Sequence, residues 1–551
     1  MPAPRPWMSS PPPNGSATSA DEERLGSQIR TRSDMKQQGR EGGHLAIGKS
    51  QSLFMTHAHS AGSPFLLPHG TRLARRVERV IRDLYDVHDY DEVITPQIYR
   101  KKLWEQSGHW DNYREDMFGV EGFKEQQRKE MKRAAKVAKV IEERRGCCAA
   151  HDAEGSGQSD ASTSASASTS TTPLPDMDFG LKPMNCPGHC LIYSSQPRSL
   201  SDLPLRFSEW SPLHRNEPSG SLSGLTRVRR FVQDDAHVFC APEQIKAEIA
   251  TMLTMLSDAY SVFGFPNFEV VLSTRPSKSL GRQEDWDRAE QALQEALDEA
   301  GVRWTCNHGD GAFYGPKIDI RLVDSLQRKH QTATIQLDFQ LPERFGLTYE
   351  PGAAASAETT SVHRPVMIHR AILGSVERFL AILMESREGA WPFWLSPRQA
   401  CIIPVTTSPE VLAYCEKVRK QLSLGLDYEA EDGGVAPRSL QRFFIEMSPP
   451  SSLDMRLSKR IKRAQLAGYN FLIIVGEGEM KASTVKAVVE GNGSWWKRLR
   501  SSAADGVEAQ LFGESGELSS SGEREAGQME MGSYEVGKLR ALWEKMDRCH
   551  L

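Results

Sequence analysis

The sequence predicts an α+β domain built on an antiparallel sheet flanked by helices, followed by a small α/β domain. Two patterns carry this. Through residues 177–396, stretches that alternate like strands lie near one another with long helical stretches between them, which favours antiparallel pairing. Beyond 397, residues 400–405 and 471–475 are short and wholly apolar, as expected of strands covered on both faces.

The first ordered block opens with a helix, because Leu73, Val77, Ile81 and Leu84 recur on one face. A short apolar run at 92–95 follows and stops at Pro96. Within the long block, RVRRFVQDDAHVFC alternates as a strand, with Val228, Arg230 and Val232 opposite Arg229, Phe231 and Gln233. Trp286, Ala289, Leu293 and Leu297 recur at helical spacing, and Gly301 is a plausible stop. TIQLDFQL at 334–341 alternates again, and 369–384 has the apolar density of a buried helix. In the last block a helix at 453–467 turns Leu457, Ile461 and Ala464 inward and presents Arg456, Lys459, Arg460, Lys462 and Arg463. That basic face reads equally as a solvated surface or as an RNA contact.

Four regions read as poorly folded: 1–50, 146–176 with its Ser/Thr/Ala tract, 433–452 and 497–535. The resulting division is a disordered or targeting segment at 1–51 and a domain at 52–396 with a low-complexity insertion at about 122–176. An α/β domain at 397–490 and an unassigned tail at 491–551 complete it. Residues 124–145 carry nine Lys/Arg against four Glu, read as a solvated helical insertion or, alternatively, a basic arm on RNA phosphates.

Composition bounds function loosely. Of 551 residues, 39% are hydrophobic and 25% charged, ordinary for a globular protein, and no run reaches the ~18 apolar residues of a membrane span. A net charge of −4 neither supports nor excludes nucleic acid, which needs only a local basic face. Nine scattered cysteines argue for a reducing compartment. The first twenty residues lack acids, and Arg24, Arg30, Arg32, Lys36 and Arg40 follow. This fits a mitochondrial presequence in part, although Asp21, Glu22, Glu23 and the prolines fit a plain tail as well.

For metal chemistry, Cys186, His237 and His369 would leave the fourth position of tetrahedral zinc free, a catalytic ligand count. Spacing alone favours buried structural residues instead. No CxxC or HExxH ties the three together, and His189, Cys190 and Cys240 compete. The chain has no P-loop or Rossmann fingerprint. Any nucleotide phosphates must therefore be held by arginines, for which Arg215, Arg227, Arg229, Arg230 and Arg378 are candidates.

Taken together, these fragments resemble one family. GSPFLLPHGTRL with YDEVITP resembles motif 1 of class II aminoacyl-tRNA synthetases. HRNEPSGSLSGLTRVRRFVQDDAH at 214–237 is similar to motif 2 in its threonyl form, and HRAILGSVERFLAIL at 369–383 to motif 3 with Gly374, Glu377 and Arg378. MNCPGH, GDGAFYGPKIDI and TIQLDFQLPERF fall between them in the threonyl order. The resemblance spans 52–121 and 177–396, and more loosely 397–490, where SKRIKRAQLAGYNFLIIVGEGE resembles an anticodon-binding domain.

The resemblance implies ATP-dependent ligation of threonine to tRNA(Thr) through threonyl-adenylate. Zinc on Cys186, His237 and His369 would take the amino and hydroxyl groups of threonine. Valine, nearly isosteric, would leave a coordination site empty, where an apolar pocket alone separates such pairs only ~10²-fold. By the same resemblance Asp235 accepts the hydroxyl's hydrogen bond, Gln233 and Tyr314 hold the amino acid, and Met184 lines its pocket. Arg215 and Arg378 grip the α- and γ-phosphates, Glu217 and Arg227 position adenine and triphosphate, Phe231 stacks on the base, Gln331 and Thr334 lie near the adenylate, and Lys317 adds charge. Mg2+ is expected with ATP. Position 332 is Thr where many family members have Cys. His189, Cys190 and Cys240 are read as packing or supporting residues.

The resemblance also implies a homodimer through motif 1. The similarity begins near Leu53, so the expectation is a chain without the editing domain of many threonyl enzymes, forming measurable serine adenylate and seryl-tRNA. Since such shortened forms are found among mitochondrial members, the expected location is the mitochondrial matrix, with the cytoplasm as alternative. Two rival readings are a non-catalytic RNA-binding paralogue and a class II synthetase for serine or proline. The phosphate-gripping arginines and ligand set weigh against the first, and the combination MNCPGH, DDAHVFC and IHRAI against the second.

Overall fold

The computed structural model describes residues 43–122, 131–132, 179–323, 328–351, 363–425, 443–449, 452–490 and 528–550. Most of the basic stretch at 124–145 and the whole Ser/Thr/Ala tract lie outside the described residues. The chain forms two compact units, one of residues 52–386 and one of residues 387–551 together with the segment before Ser52. The sequence places that boundary ten residues later.

In the first unit, helix α1 (Pro68–Val87) starts with Pro at its first turn and buries Leu73, Val77 and Ile81, with Tyr85 buried where the periodicity pointed to Leu84. The short strand β1 (Asp91–Glu92) follows, then helix α2 (Cys186–Ser194), β2 (Leu205–Glu209), β3 (Pro212–His214) and the long β4 (Arg230–Cys240). Next come α3 (Ile245–Phe263), β5 (Phe268–Ser273), α4 (Gln283–Glu299), β6 (Trp304–Asn307), β7 (Lys317–Val323), β8 (Lys329–Asp338), β9 (Val366–Ser375) and α5 (Val376–Ser386). They build a nine-stranded sheet in the order β6-β5-β7-β8-β9-β4-β2-β1, with β3 also on β4. Only the outer pairs β5–β6 and β1–β2 are parallel. The predicted buried helix at 369–384 is instead the end of β9 followed by α5. A continuous apolar run cannot distinguish a strand buried on both faces from a helix. Gly374 makes the break: its φ is +69°, and a Cβ there would meet the Thr332 carbonyl oxygen at 2.5 Å.

The second unit carries β10 (Ala400–Pro404), α6 (Pro409–Leu424), β11 (Ile445–Met447), α7 (Leu457–Leu466), β12 (Phe471–Val475), β13 (Thr484–Glu490), β14 (Gln528–Glu535) and α8 (Val536–Arg548). Its five strands run β11-β10-β12-β13-β14, parallel on the β11-β10-β12 side and antiparallel beyond. Three regions read as poorly folded therefore contribute to it. Strand β11 falls within 433–452. Strand β14 and helix α8 come from the unassigned tail, and α8 sends Leu539, Leu542 and Trp543 into the core with Phe393, Phe443 and Phe471. Residues 43–50 are helical, bury Ile47 and lead to Gln51, which accepts from Trp391 Nε1 and donates to the Gly389 carbonyl. Flanking low-complexity sequence hid all three. Helix α7 is shorter than its predicted span. Arg460, counted in its basic face, is buried and donates to the Pro404 and Val405 carbonyls, so it holds the helix to β10.

Candidate active site

Strand register assembles the site. His369 on β9 pairs directly with His237 on β4 and with Gln336 on β8. Side chains two residues apart share a face, so Gln233, Asp235 and His237 form one row, Thr334, Gln336 and Asp338 a second, and His369 and Ala371 a third. The opposite face carries Ala333, Ile335 and Leu337, fully buried. Above the polar face lies a cavity of about 410 Å³. Its lining includes Met184, Cys186, Arg215, Glu217, Arg227, Phe231, Gln233, Asp235, His237, Tyr314, Gln331, Thr334, His369 and Arg378. Of the residues assigned from the resemblance, only Lys317 is missing from this lining; its Nζ lies 2.9 Å from Asp319 and 3.7 Å from Asp310. Arg229 and Arg230, also proposed for phosphates, turn elsewhere: Arg229 donates to the Glu217 carbonyl and Arg230 pairs with Glu377.

At one end, ligand atoms of Cys186, His237 and His369 lie within 4.8 Å of one another, all buried. Cys186 opens α2, where the helix dipole favours a thiolate, but burial and then the nearby Asp235 push its thiol well above the ordinary cysteine value. The histidines are oriented from behind. His369 Nε2 is 2.9 Å from Asp338 Oδ2, and Asp338 is further fixed by the Gln340 and Leu341 amides. A carboxylate can only accept, so the His369 proton sits on Nε2 and its Nδ1 lone pair is free. His189 Nε2 is 3.0 Å from Glu209 Oε2, and His189 Nδ1 is 2.8 Å from His237 Nδ1. The same logic makes His237 donate from Nδ1 and leaves its Nε2 lone pair free. Glu209, Lys182 and His189 are fully buried, and Lys182 Nζ reaches Glu209 at 2.7 Å. Burial would raise the Glu209 carboxyl, but donors from His189, Lys182, Ser211 and the Thr95 amide outweigh it and hold it down at about 2. Burial keeps His237 well below the ordinary histidine value and so neutral. One thiol and two imidazoles whose rings are oriented by Asp338 and, through His189, by Glu209 fit a zinc ion with an open position.

Moving along the strands away from that triad, each two-residue step is about 6–7 Å. His237 gives way to Asp235, Gln233 and Phe231 on β4, Gln336 to Thr334 and Gln331 on β8, and His369 to Ser375 and then Arg378 beyond β9. Asp235 is held by Asn185 Nδ2 at 3.0 Å, and Tyr314 by Gln336 Oε1 at 2.6 Å. At the far end stand three arginines with Glu217, which binds Arg227 Nε at 2.8 Å. Arg215 lies over the Phe231 ring at 4.9 Å, and its buried Nε has no hydrogen-bond partner. Arg378 donates to the Thr226 carbonyl. Burial, then repulsion from Arg215 and Arg227, pulls its guanidinium below the ordinary value. Helix α5 is clamped there by Glu377, which accepts from the Val232 amide and from Arg230.

Sequence reasoning missed the supporting residues Lys182, Asn185, Glu209, Gln336 and Asp338. Gln336 and Asp338 lie in the quoted TIQLDFQLPERF, where period-two spacing from Thr334 could have placed them on the site face. Glu209 carried no signal. His109 was also unassigned; it is buried, with Nδ1 on Ser107 and Nε2 3.1 Å from the Met184 sulfur.

Known proteins match this arrangement. The model of the "tRNA synthetase class II core domain (G, H, P, S and T)" matches residues 172–387, and that of the "Anticodon binding domain" matches 399–494. A probable mitochondrial threonine–tRNA ligase of Schizosaccharomyces pombe is 42% identical over 438 residues, which is 79% of this chain and 82% of that protein. The cytoplasmic threonine–tRNA ligase of Saccharomyces cerevisiae is 44% identical over 80% of this chain, and the chain spans 50% of it. The crystal structure of the RNA binding domain of threonyl-tRNA synthetase from Cryptosporidium parvum superposes with a TM-score of 0.64 at 38% identity, covering 81% of this chain and 92% of that one. A Giardia lamblia prolyl-tRNA synthetase, 15% identical with a TM-score of 0.51, shares the fold alone. On the strength of these matches, the chain belongs to the threonine–tRNA ligase family of class II aminoacyl-tRNA synthetases.

Proposed function

We propose that this chain activates threonine with ATP and transfers it to tRNA(Thr), selecting the amino acid at a zinc held by Cys186, His237 and His369. The observation that carries the reading is one cavity with a Cys/His/His triad at one end and Arg215, Arg227 and Arg378 at the other. Zinc there would supply a Lewis acid with a position open to a hydroxyl-bearing amino acid. Asp235, fixed by Asn185, accepts the substrate hydroxyl's hydrogen bond, while Gln233 and Tyr314 orient the amino group and Met184 closes the pocket. The threonine carboxylate attacks the α-phosphate in line, and pyrophosphate leaves. Orientation and charge stabilisation supply most of the rate, with Arg215 on the α-phosphate and Arg378 at the γ-phosphate, beside ATP-bound Mg2+. Adenine stacks on Phe231, with Glu217 and Arg227 positioning the nucleotide and Gln331 and Thr334 near the adenylate.

The protein acts as a homodimer in this reading. Phe65 and Ile94, in the segments that resemble motif 1, expose large apolar side chains. The acid-free, Ser-rich first twenty residues and the mitochondrial fission-yeast relative support action in mitochondria. The test is charging of a tRNA(Thr) transcript with labelled threonine. Threonyl-tRNA formed by the wild type and lost in Arg215→Ala supports the assignment, whereas a folded, zinc-loaded protein that charges nothing refutes it.

A further inference from the structure

Asp319 lies on β7, on the strand face turned away from the fully buried Ile318, Ile320 and Leu322. Its own side chain is also fully enclosed, and the enclosure is made of donors. Oδ1 accepts from Gln331 Nε2 at 2.5 Å and from Thr334 Oγ1 at 3.3 Å. Oδ2 accepts from Lys317 Nζ at 2.9 Å and from Ser273 Oγ at 3.1 Å. On β8, Thr334 pairs directly with Asp319 while Gln331 pairs with Arg321, and a register shift between Asp319 and Arg321 brings both side chains to one carboxylate.

A carboxylate removed from water costs several kcal/mol unless paired, and four donors offset that here. An apolar residue would fill the same space without this cost, but it would tether nothing. Three of the four tethered groups are those assigned to the adenylate and its charge. Gln331 and Lys317 are long and flexible, and a ligand that must first order them loses affinity. We propose that Asp319 is a positioning residue for the nucleotide: one buried carboxylate holds Gln331, Thr334 and Lys317 in place before ATP arrives. This rests on the reading of the cavity as an ATP site. Asp319 touches none of the metal-binding residues, so its effect falls on the nucleotide and not on the amino acid.

The test uses the full chain with its zinc content measured. In threonine-dependent ATP–pyrophosphate exchange, Asp319→Asn raises the KM for ATP about tenfold or more, while the KM for threonine moves less than about threefold. Ser273→Ala, which removes one donor without touching the cavity, moves the ATP KM the same way by a smaller factor, and it reads the tether if the Asn variant does not fold. A fall in kcat with both KM values unchanged would mean a structural role only and overturn the proposal, as would an ATP KM unchanged in both variants. If the wild type shows no threonine-dependent exchange, the functional reading has failed instead. Titration with a non-hydrolysable ATP analogue then decides: weaker binding by the variants upholds the tether, and equal binding rejects it.

Discussion

Asp235 lines the cavity and is held by Asn185, whose amide takes one carboxylate oxygen; in the proposed reaction the other accepts from the substrate hydroxyl. Asp235→Asn turns that acceptor into a donor at a buried site. Losing a hydrogen bond to a charged group is worth ~1.5–3 kcal/mol, so kcat/KM for threonine should fall at least tenfold, read from initial rates of exchange. Gly374 is a backbone requirement of another kind. An alanine there meets both a left-handed φ and the Thr332 carbonyl, so Gly374→Ala should displace Ser375 and Arg378 and raise the ATP KM. Unaltered kinetics in that variant would show that the break at Gly374 does not place Arg378. Cys186, His237 and His369 stood in the sequence as three scattered positions, and no spacing rule joined them. Register on two antiparallel strands brings His237 and His369 together, and register is a tertiary property. Only the resemblance of the motifs made it legible.

Among the elements, α1, α4 and β4 were readable because one face of each is apolar at the right period. The strand-to-helix break at Gly374 and the contributions of β11, β14 and α8 were not, since they lie in apolar or low-complexity surroundings where periodicity is silent. Helix α8 is nonetheless part of the second core. Trp543→Ala should destabilise that unit by ~3–5 kcal/mol, measurable as a lowered denaturant midpoint, and a midpoint unmoved would show that the tail does not pack there. Helix α7 separates two kinds of arginine. Arg456, Lys459, Lys462 and Arg463 face solvent, while Arg460 is buried on β10 carbonyls. Reversing the four exposed charges should raise the KM for tRNA and flatten its salt dependence without unfolding. Arg460→Glu should instead lower the thermal midpoint. A tRNA KM unchanged by the four reversals would remove α7 from the RNA surface.

For the whole molecule, exposed Phe65 and Ile94 predict self-association. Ile94→Lys should shift a dimer to monomer in sedimentation equilibrium, and a wild type that is monomeric at all concentrations would refute the dimer. The central claim is that a metal and an arginine cluster share one cavity so that a hydroxyl amino acid is chosen and activated there. Amino-acid-dependent ATP–pyrophosphate exchange with threonine, serine and valine, on protein of known zinc content before and after chelation, tests it most directly. The account predicts strong exchange with threonine, weaker exchange with serine, none with valine, and loss of all of it when zinc is removed. Equal exchange with valine, or threonine exchange that survives complete removal of zinc, would contradict it.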